Sequence, residues 1–94
     1  MDEFDKYLRS RGLDGKKMDD CLYAYIHGVY YNYVNADKLL NQKIQELSYN
    51  VVENVDLFKY TELKRKAKNH LEVEINRLIA SNDYTYVRKN ASRR

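Results

Sequence analysis

Met18-Asp19-Asp20-Cys21-Leu22-Tyr23-Ala24-Tyr25-Ile26-His27-Gly28-Val29-Tyr30-Tyr31-Asn32-Tyr33-Val34 is the stretch that decides the fold of this 94-residue chain. Met18, Cys21, Leu22, Tyr25, Ile26, Val29, Tyr30 and Tyr33 recur at alternating spacings of three and four, which marks one buried face of an α-helix. Tyr23, Tyr31 and Val34 lie off that face. The helix is therefore apolar or aromatic around most of its circumference, and such a helix is normally surrounded by neighbours. The periodicity passes through Gly28 without a break. It predicts a continuous helix in which Gly28 permits a close helix approach, at a cost of about 1 kcal/mol relative to alanine.

A helix-turn-helix is the rival reading of the same stretch. Ala24, Gly28 and Val34 match its small, glycine and apolar positions. His27 and Asp37, however, stand where apolar residues are expected. The would-be recognition helix, Tyr31 to Leu40, carries Lys38 as its only cation, where a major-groove reader needs several. The continuous helix is the better account.

Working outward, the absence of proline permits long uninterrupted helices. Asp2 can cap a short first helix bearing Phe4, Tyr7 and Leu8. Gly12-Leu13-Asp14-Gly15 is the clearest break. Asn35-Ala36-Asp37 is a candidate junction after the second helix; alternatively that helix runs straight through. Leu40, Ile44, Leu47, Val51, Val55 and Phe58 then form an amphipathic stripe. Asp56 or Thr61 can start a last helix with Tyr60, Leu63, Ala67, Leu71, Ile75, Leu78 and Ile79 on its apolar side and Glu72, Glu74 and Asn76 facing away. Ser81-Asn82-Asp83 ends it. Tyr84-Thr85-Tyr86-Val87 is a short extended piece. The predicted architecture is all-α: a small antiparallel helical bundle of a short N-terminal helix plus two or three longer ones, oligomeric. Residues 1–87 form a single domain, and 88–94 form a basic, frayed C-terminal tail.

No apolar run approaches the ~20 residues of a membrane span, and the charged start of the chain lacks a signal-peptide core. With a single cysteine there is no disulfide framework, so a cytoplasmic location is expected. The abundance of Lys, Asn and Tyr, all with A/T-rich codons, hints at a low-G+C bacterial, phage or viral genome. The formal net charge is +3. Residues 1–47 are close to neutral, and residues 48–94 carry the basic excess and most of the arginine.

Enzymatic constellations are not visible, and neither a cofactor nor a metal is called for. Cys21 lies on the apolar face and reads as a buried structural thiol, because no histidine stands near it in a triad-like context. His27 and His70 stand alone on different helices, without the patterned ligands a metal needs. His27 has Tyr23, Tyr30 and Tyr31 at helical spacing, which predicts a hydrogen-bonded aromatic cluster. Asp19 and Asp20 suit the N-terminus of a helix rather than acid–base work, since adjacent helical residues point about 100° apart.

Two features point to binding. Lys64-Arg65-Lys66-Ala67-Lys68 is the densest basic run. With Arg88 and Lys89, its Lys64, Arg65 and Lys68 could contact an anionic partner, although a solvated face balanced by Glu62, Glu72 and Glu74 is the simpler reading. The ten tyrosines are the larger anomaly. A buried tyrosine also needs a partner for its hydroxyl, whereas interfaces enrich tyrosine for its large rigid ring and polar tip. Tyr23, Tyr30, Tyr31 and Val34 are accordingly expected to form a protein interface, toward a second copy, another protein, or both. In general character the chain resembles phage-encoded accessory proteins; no residue role follows from that likeness. The expected function is a non-enzymatic interaction module that binds and modulates a host protein by occupancy, as an inhibitor would. A small DNA- or RNA-binding regulator and an oligomeric nucleotide-sequestering protein are the alternatives.

Overall fold

A computed structural model of the protein describes residues 2–49 and 56–81. They form α1 (Glu3–Ser10), a single 3-10 turn (Gly15–Lys17), α2 (Asp20–Ser48) and α3 (Leu57–Ser81), with no strand among the described residues. Each start is capped by an aspartate. The Asp2 carboxylate accepts from the Asp5 amide at 2.9 Å, Asp19 from Leu22 at 2.9 Å and Asp56 from Lys59 at 3.2 Å. Asp56 rather than Thr61 therefore begins α3.

The exit from α1 is a Schellman motif. The Leu13 amide donates to the Leu8 carbonyl at 2.8 Å and Gly12 to Arg9 at 3.0 Å, with Gly12 at φ +79°. Leu8 and Leu13 then pack into one core, which supplies the hydrophobic contact of that motif. Asp14 caps the 3-10 turn by accepting from Lys16 at 3.0 Å. Gly15 answers to close approach: a Cβ there would lie 2.8 Å from Tyr23 Cε2 and 3.2 Å from both Asp5 Oδ1 and Leu8 Cδ1.

α2 is continuous across Gly28, so no helix-turn-helix exists there. It also continues through Asn35-Ala36-Asp37. The stripe beginning at Leu40 is thus the second half of α2 and not a separate helix, and no residue in that junction breaks the hydrogen-bond ladder. Val51 and Val55, the extended piece at 84–87 and the tail at 88–94 lie outside the described residues.

α2 and α3 form an antiparallel hairpin. Its rungs are the Lys43 ammonium 5.6 Å from the Tyr60 ring centre, Asp37 with Lys64 at 2.9 Å, and the Tyr25 hydroxyl 3.2 Å from His70 Nε2. α1 lies across one end of it. Phe4 and Leu8 there meet Leu22, Ile26 and Val29 of α2 and Leu71, Ile75 and Leu78 of α3, all buried. The hairpin outruns α1. Beyond the covered end, Leu40 and Ala67 stay buried, but Ile44, Leu63 and Phe58 are exposed, Phe58 at 74%.

Ile79 is exposed as well, and within the Met18 to Tyr33 stripe two residues leave the face the sequence assigns them. Cys21 is exposed rather than buried, and Tyr25 is 44% exposed. The three/four pattern admits an arc centred on either side of Leu22 and Ile26. α1 packs against the Tyr23 and Tyr30 side, which draws the buried arc that way and leaves Cys21 and Tyr25 at its margin. Of the three residues expected to face away from the core, Asn76 is exposed and Glu72 partly so, while the Glu74 side chain is only 12% exposed. Glu72 and Asn76 hold Arg11: its Nη1 donates to Glu72 Oε2 at 2.9 Å and Oε1 at 3.1 Å, and its Nη2 donates to Asn76 Oδ1 at 3.1 Å. This clasp ties the end of α1 to α3, a pairing no local pattern reveals.

Candidate functional site

The tyrosines of α2 are organised by Phe4, a fully buried ring of α1. Tyr23 and His27 stand nearly perpendicular to it, with centres 5.1 and 5.2 Å away, and Tyr30 lies at 5.4 Å. Tyr31 packs on His27 at 4.6 Å and edge-on against Tyr30 at 5.1 Å, and Tyr7 reaches Tyr30 at 5.0 Å. Edge-to-face geometry of this kind adds about 0.5–1.5 kcal/mol per pair beyond burial. The ring contacts of the cluster expected around His27 are therefore present, but no described side chain hydrogen-bonds to His27. Tyr23, Tyr30, Tyr31 and Val34 are all half-buried, and the three tyrosines pack against the core while remaining partly open to solvent.

The rim of this array is acidic. The Tyr23 hydroxyl donates to Asp5 Oδ1 at 3.1 Å. Burial, then that hydrogen bond, hold the Tyr23 phenol above its ordinary pKa; burial, then the charge of Glu3, do the same for Tyr30. Asp20 lies three, seven and eleven residues before Tyr23, His27 and Tyr31, on the same side of α2. From Cys21 to Ala36 the chain has no lysine or arginine. Helical spacing makes the tyrosine strip legible; the contribution of Phe4, Tyr7 and the α1 carboxylates is not, because it arises from where α1 docks.

The opposite side of the hairpin carries a shallow groove. Ala24, Gly28 and Asn32 line it from α2, with Tyr25 and His70 at its edge, and Asn32 also borders a second shallow depression lined by Ala36, Leu39, Leu63 and Ala67. The close helix approach expected at Gly28 is absent: a Cβ there would meet nothing within 4 Å.

The basic run is partly neutralised within the chain. Lys64 pairs with Asp37 at 2.9 Å, which raises its pKa through that hydrogen bond. Arg65 pairs with Glu62 at 2.7 Å; the hydrogen bond lowers the Glu62 pKa and raises that of Arg65. Lys66 and Lys68 are exposed. Arg88 and Lys89 lie outside the described residues.

Among the described residues no group of three or more His, Cys, Asp or Glu side chains converges to hold a metal ion. No described helix is long and apolar enough to cross a membrane. His27 and His70 sit on opposite sides of α2, one in the ring array and one beside Tyr25. Comparison of the chain with models of protein families, with curated proteins and with solved structures finds no match.

Proposed function

We propose that the protein is a non-enzymatic interaction module that binds another protein through the aromatic strip of α2 and acts by occupying it, in the manner of a phage or mobile-element accessory protein that modulates a host factor in the cytoplasm. One observation carries this reading: Tyr23 and His27 stand edge-on against the buried ring of Phe4, Tyr30 leans on it, Tyr31 packs on His27 and Tyr30, and all four rings stay only half-buried. Rings held that way lose little further freedom on binding, and tyrosine is enriched among the residues that dominate interface energy. Self-association belongs to the same proposal, with the hairpin groove past Gly28 as a second apolar surface. A nucleic-acid role has less support, because Asp37 and Glu62 already occupy Lys64 and Arg65.

Affinity capture from a host lysate tests the reading. The wild-type chain is expected to retain a partner at moderate salt, and Tyr31→Glu, folded by circular dichroism, to lose it. A partner held equally well by Tyr31→Glu and by Tyr23→Glu would refute the strip as the interface. Light scattering that shows a monomer at high micromolar concentration would remove self-association.

A further inference from the structure

The charged side chains where α1 meets the 3-10 turn share a cavity without pairing across it. Asp5 and Arg9 of α1 and Asp14, Gly15 and Lys16 of the turn line a space of about 290 Å³. An acid four residues ahead of an arginine on one helix is placed to form an ion pair with it. Among the described residues, however, no ion pair joins Asp5 or Asp14 to Arg9 or Lys16. The acids are held elsewhere. Asp5 Oδ1 accepts from the Tyr23 hydroxyl at 3.1 Å, and Asp14 Oδ1 accepts from the Lys16 amide at 3.0 Å. Each keeps its second carboxylate oxygen for another donor. Arg9 and Lys16 are exposed, and neither side chain has a protein partner among the described residues.

We propose that this cavity binds a small zwitterion of the α-amino acid kind. The charges of its two acids and two bases cancel, so a plain anion or a plain cation gains nothing from net attraction. An anion meets Arg9 and Lys16 but also two carboxylates, and a cation meets the reverse. A ligand with one charge of each sign answers both sets. Its carboxylate takes charge-assisted hydrogen bonds from the Arg9 guanidinium and the Lys16 ammonium, and its ammonium donates to Asp5 and Asp14. The size agrees: ligand pockets start near ~300 Å³, so the site suits a compact molecule. Both acids are already oriented by hydrogen bonds within the chain and lose little freedom on binding. The two exposed cations must be ordered, which limits the affinity. Asp5 is where the cavity borders the ring array, through Tyr23, but no protein partner on that array is needed to fill it.

The test is a titration of the isotope-labelled full chain, followed by nuclear magnetic resonance of its backbone amides. The probes are the free amino acids, added singly to about 10 mM, which nearly saturates a site with a Kd of ~1 mM. At least one of them is expected to shift the Gly15 and Lys16 amides saturably while those of Gly28 and Ala67 stay in place. Acetate, methylammonium and inorganic phosphate at the same concentration should leave all four nearly unmoved. Two variants then locate the ligand. R9Q/K16Q changes only exposed side chains, and Asp14→Asn keeps a residue that caps the turn as well as aspartate does. Each should raise the apparent Kd by about tenfold or more, with the Gly28 and Ala67 amides reporting an unchanged fold. No saturable shift from any amino acid would overturn the proposal. So would acetate, phosphate or methylammonium matching the best amino acid, since one sign of charge would then suffice. Wild-type affinity in both variants would overturn it too, by placing the ligand elsewhere. Capture of a partner that Tyr31→Glu abolishes is a separate measurement and can succeed or fail whatever this titration shows.

Discussion

Gly15 and Gly28 set up a paired test of how tightly this protein is packed. Both are glycines at φ values open to any residue, so substitution by alanine asks only about space. At Gly15 the new methyl would sit 2.8 Å from Tyr23 Cε2 and 3.2 Å from Asp5 Oδ1 and Leu8 Cδ1. Tyr23 is pinned by Phe4 and by its hydrogen bond to Asp5, and Leu8 is fully buried, so neither can yield cheaply. Overpacking of this kind costs about 1–3 kcal/mol, against about 0.4–1 kcal/mol gained by restricting the unfolded chain. Gly15→Ala is therefore expected to destabilise by about 1–2 kcal/mol, which for a domain of this size lowers Tm by roughly 5–15 °C. At Gly28 the methyl meets nothing within 4 Å, so Gly28→Ala should stabilise by about 0.5–1 kcal/mol through helix propensity alone. Urea denaturation and thermal circular dichroism at low concentration measure both. A neutral Gly15→Ala would show that α1 does not clamp the turn against Tyr23. A destabilising Gly28→Ala at low concentration would mean that another helix packs there.

Three further outcomes follow from single environments. Burial, first among the causes, raises the pKa of Tyr7, Tyr23, Tyr25 and Tyr30 above their ordinary value of 10.0. Their contribution is full below pH 10 and is lost as pH rises through the folded-state values, because the unfolded phenols release protons first; denaturation midpoints should hold to about pH 9 and fall above pH 10. Cys21 is exposed, so a thiol reagent should modify it in the folded protein and Cys21→Ser should change stability by no more than about 0.5 kcal/mol; a thiol that reacts only on unfolding would contradict the placement. Lys64→Glu breaks the pair with Asp37 whereas Lys68→Glu meets only solvent, so the first should lower Tm more than the second, and the gap should close at high salt; equal effects would discard the Asp37–Lys64 rung.

Local chemistry was readable in the amino-acid order wherever it acts over a few residues. Asp2 at the head of α1, the break at Gly12 to Gly15 and the unbroken run through Gly28 each depend on neighbours in the chain. Cys21 was misplaced because a three/four stripe defines an arc, and only the packing of α1 decides where that arc is centred. The Arg11 clasp on Glu72 and Asn76 spans more than sixty residues and leaves no periodic trace. The same holds for the site. Tyr23, Tyr30 and Tyr31 stand out as an excess of one residue type, but the buried ring that orders them, Phe4, comes from another helix. The structure also shows Gly28 open to solvent, where spacing alone suggested a close contact.

The short reach of α1 has a consequence for how the protein opens. Where α1 covers the hairpin, amides of α2 around Leu22 to Val29 share a core drawn from all three helices, so exposing them to solvent requires the whole domain to unfold. Toward Ile44 and Phe58, among the described residues, the same helices have only each other, and Ile44, Phe58 and Leu63 stay exposed. Hydrogen exchange should therefore be graded along one unbroken helix: slow near Ile26, at the free energy of global unfolding, and faster by successive turns past Leu40, through local opening. The far end can be remodelled by a partner at small cost while the end beneath α1 keeps its shape.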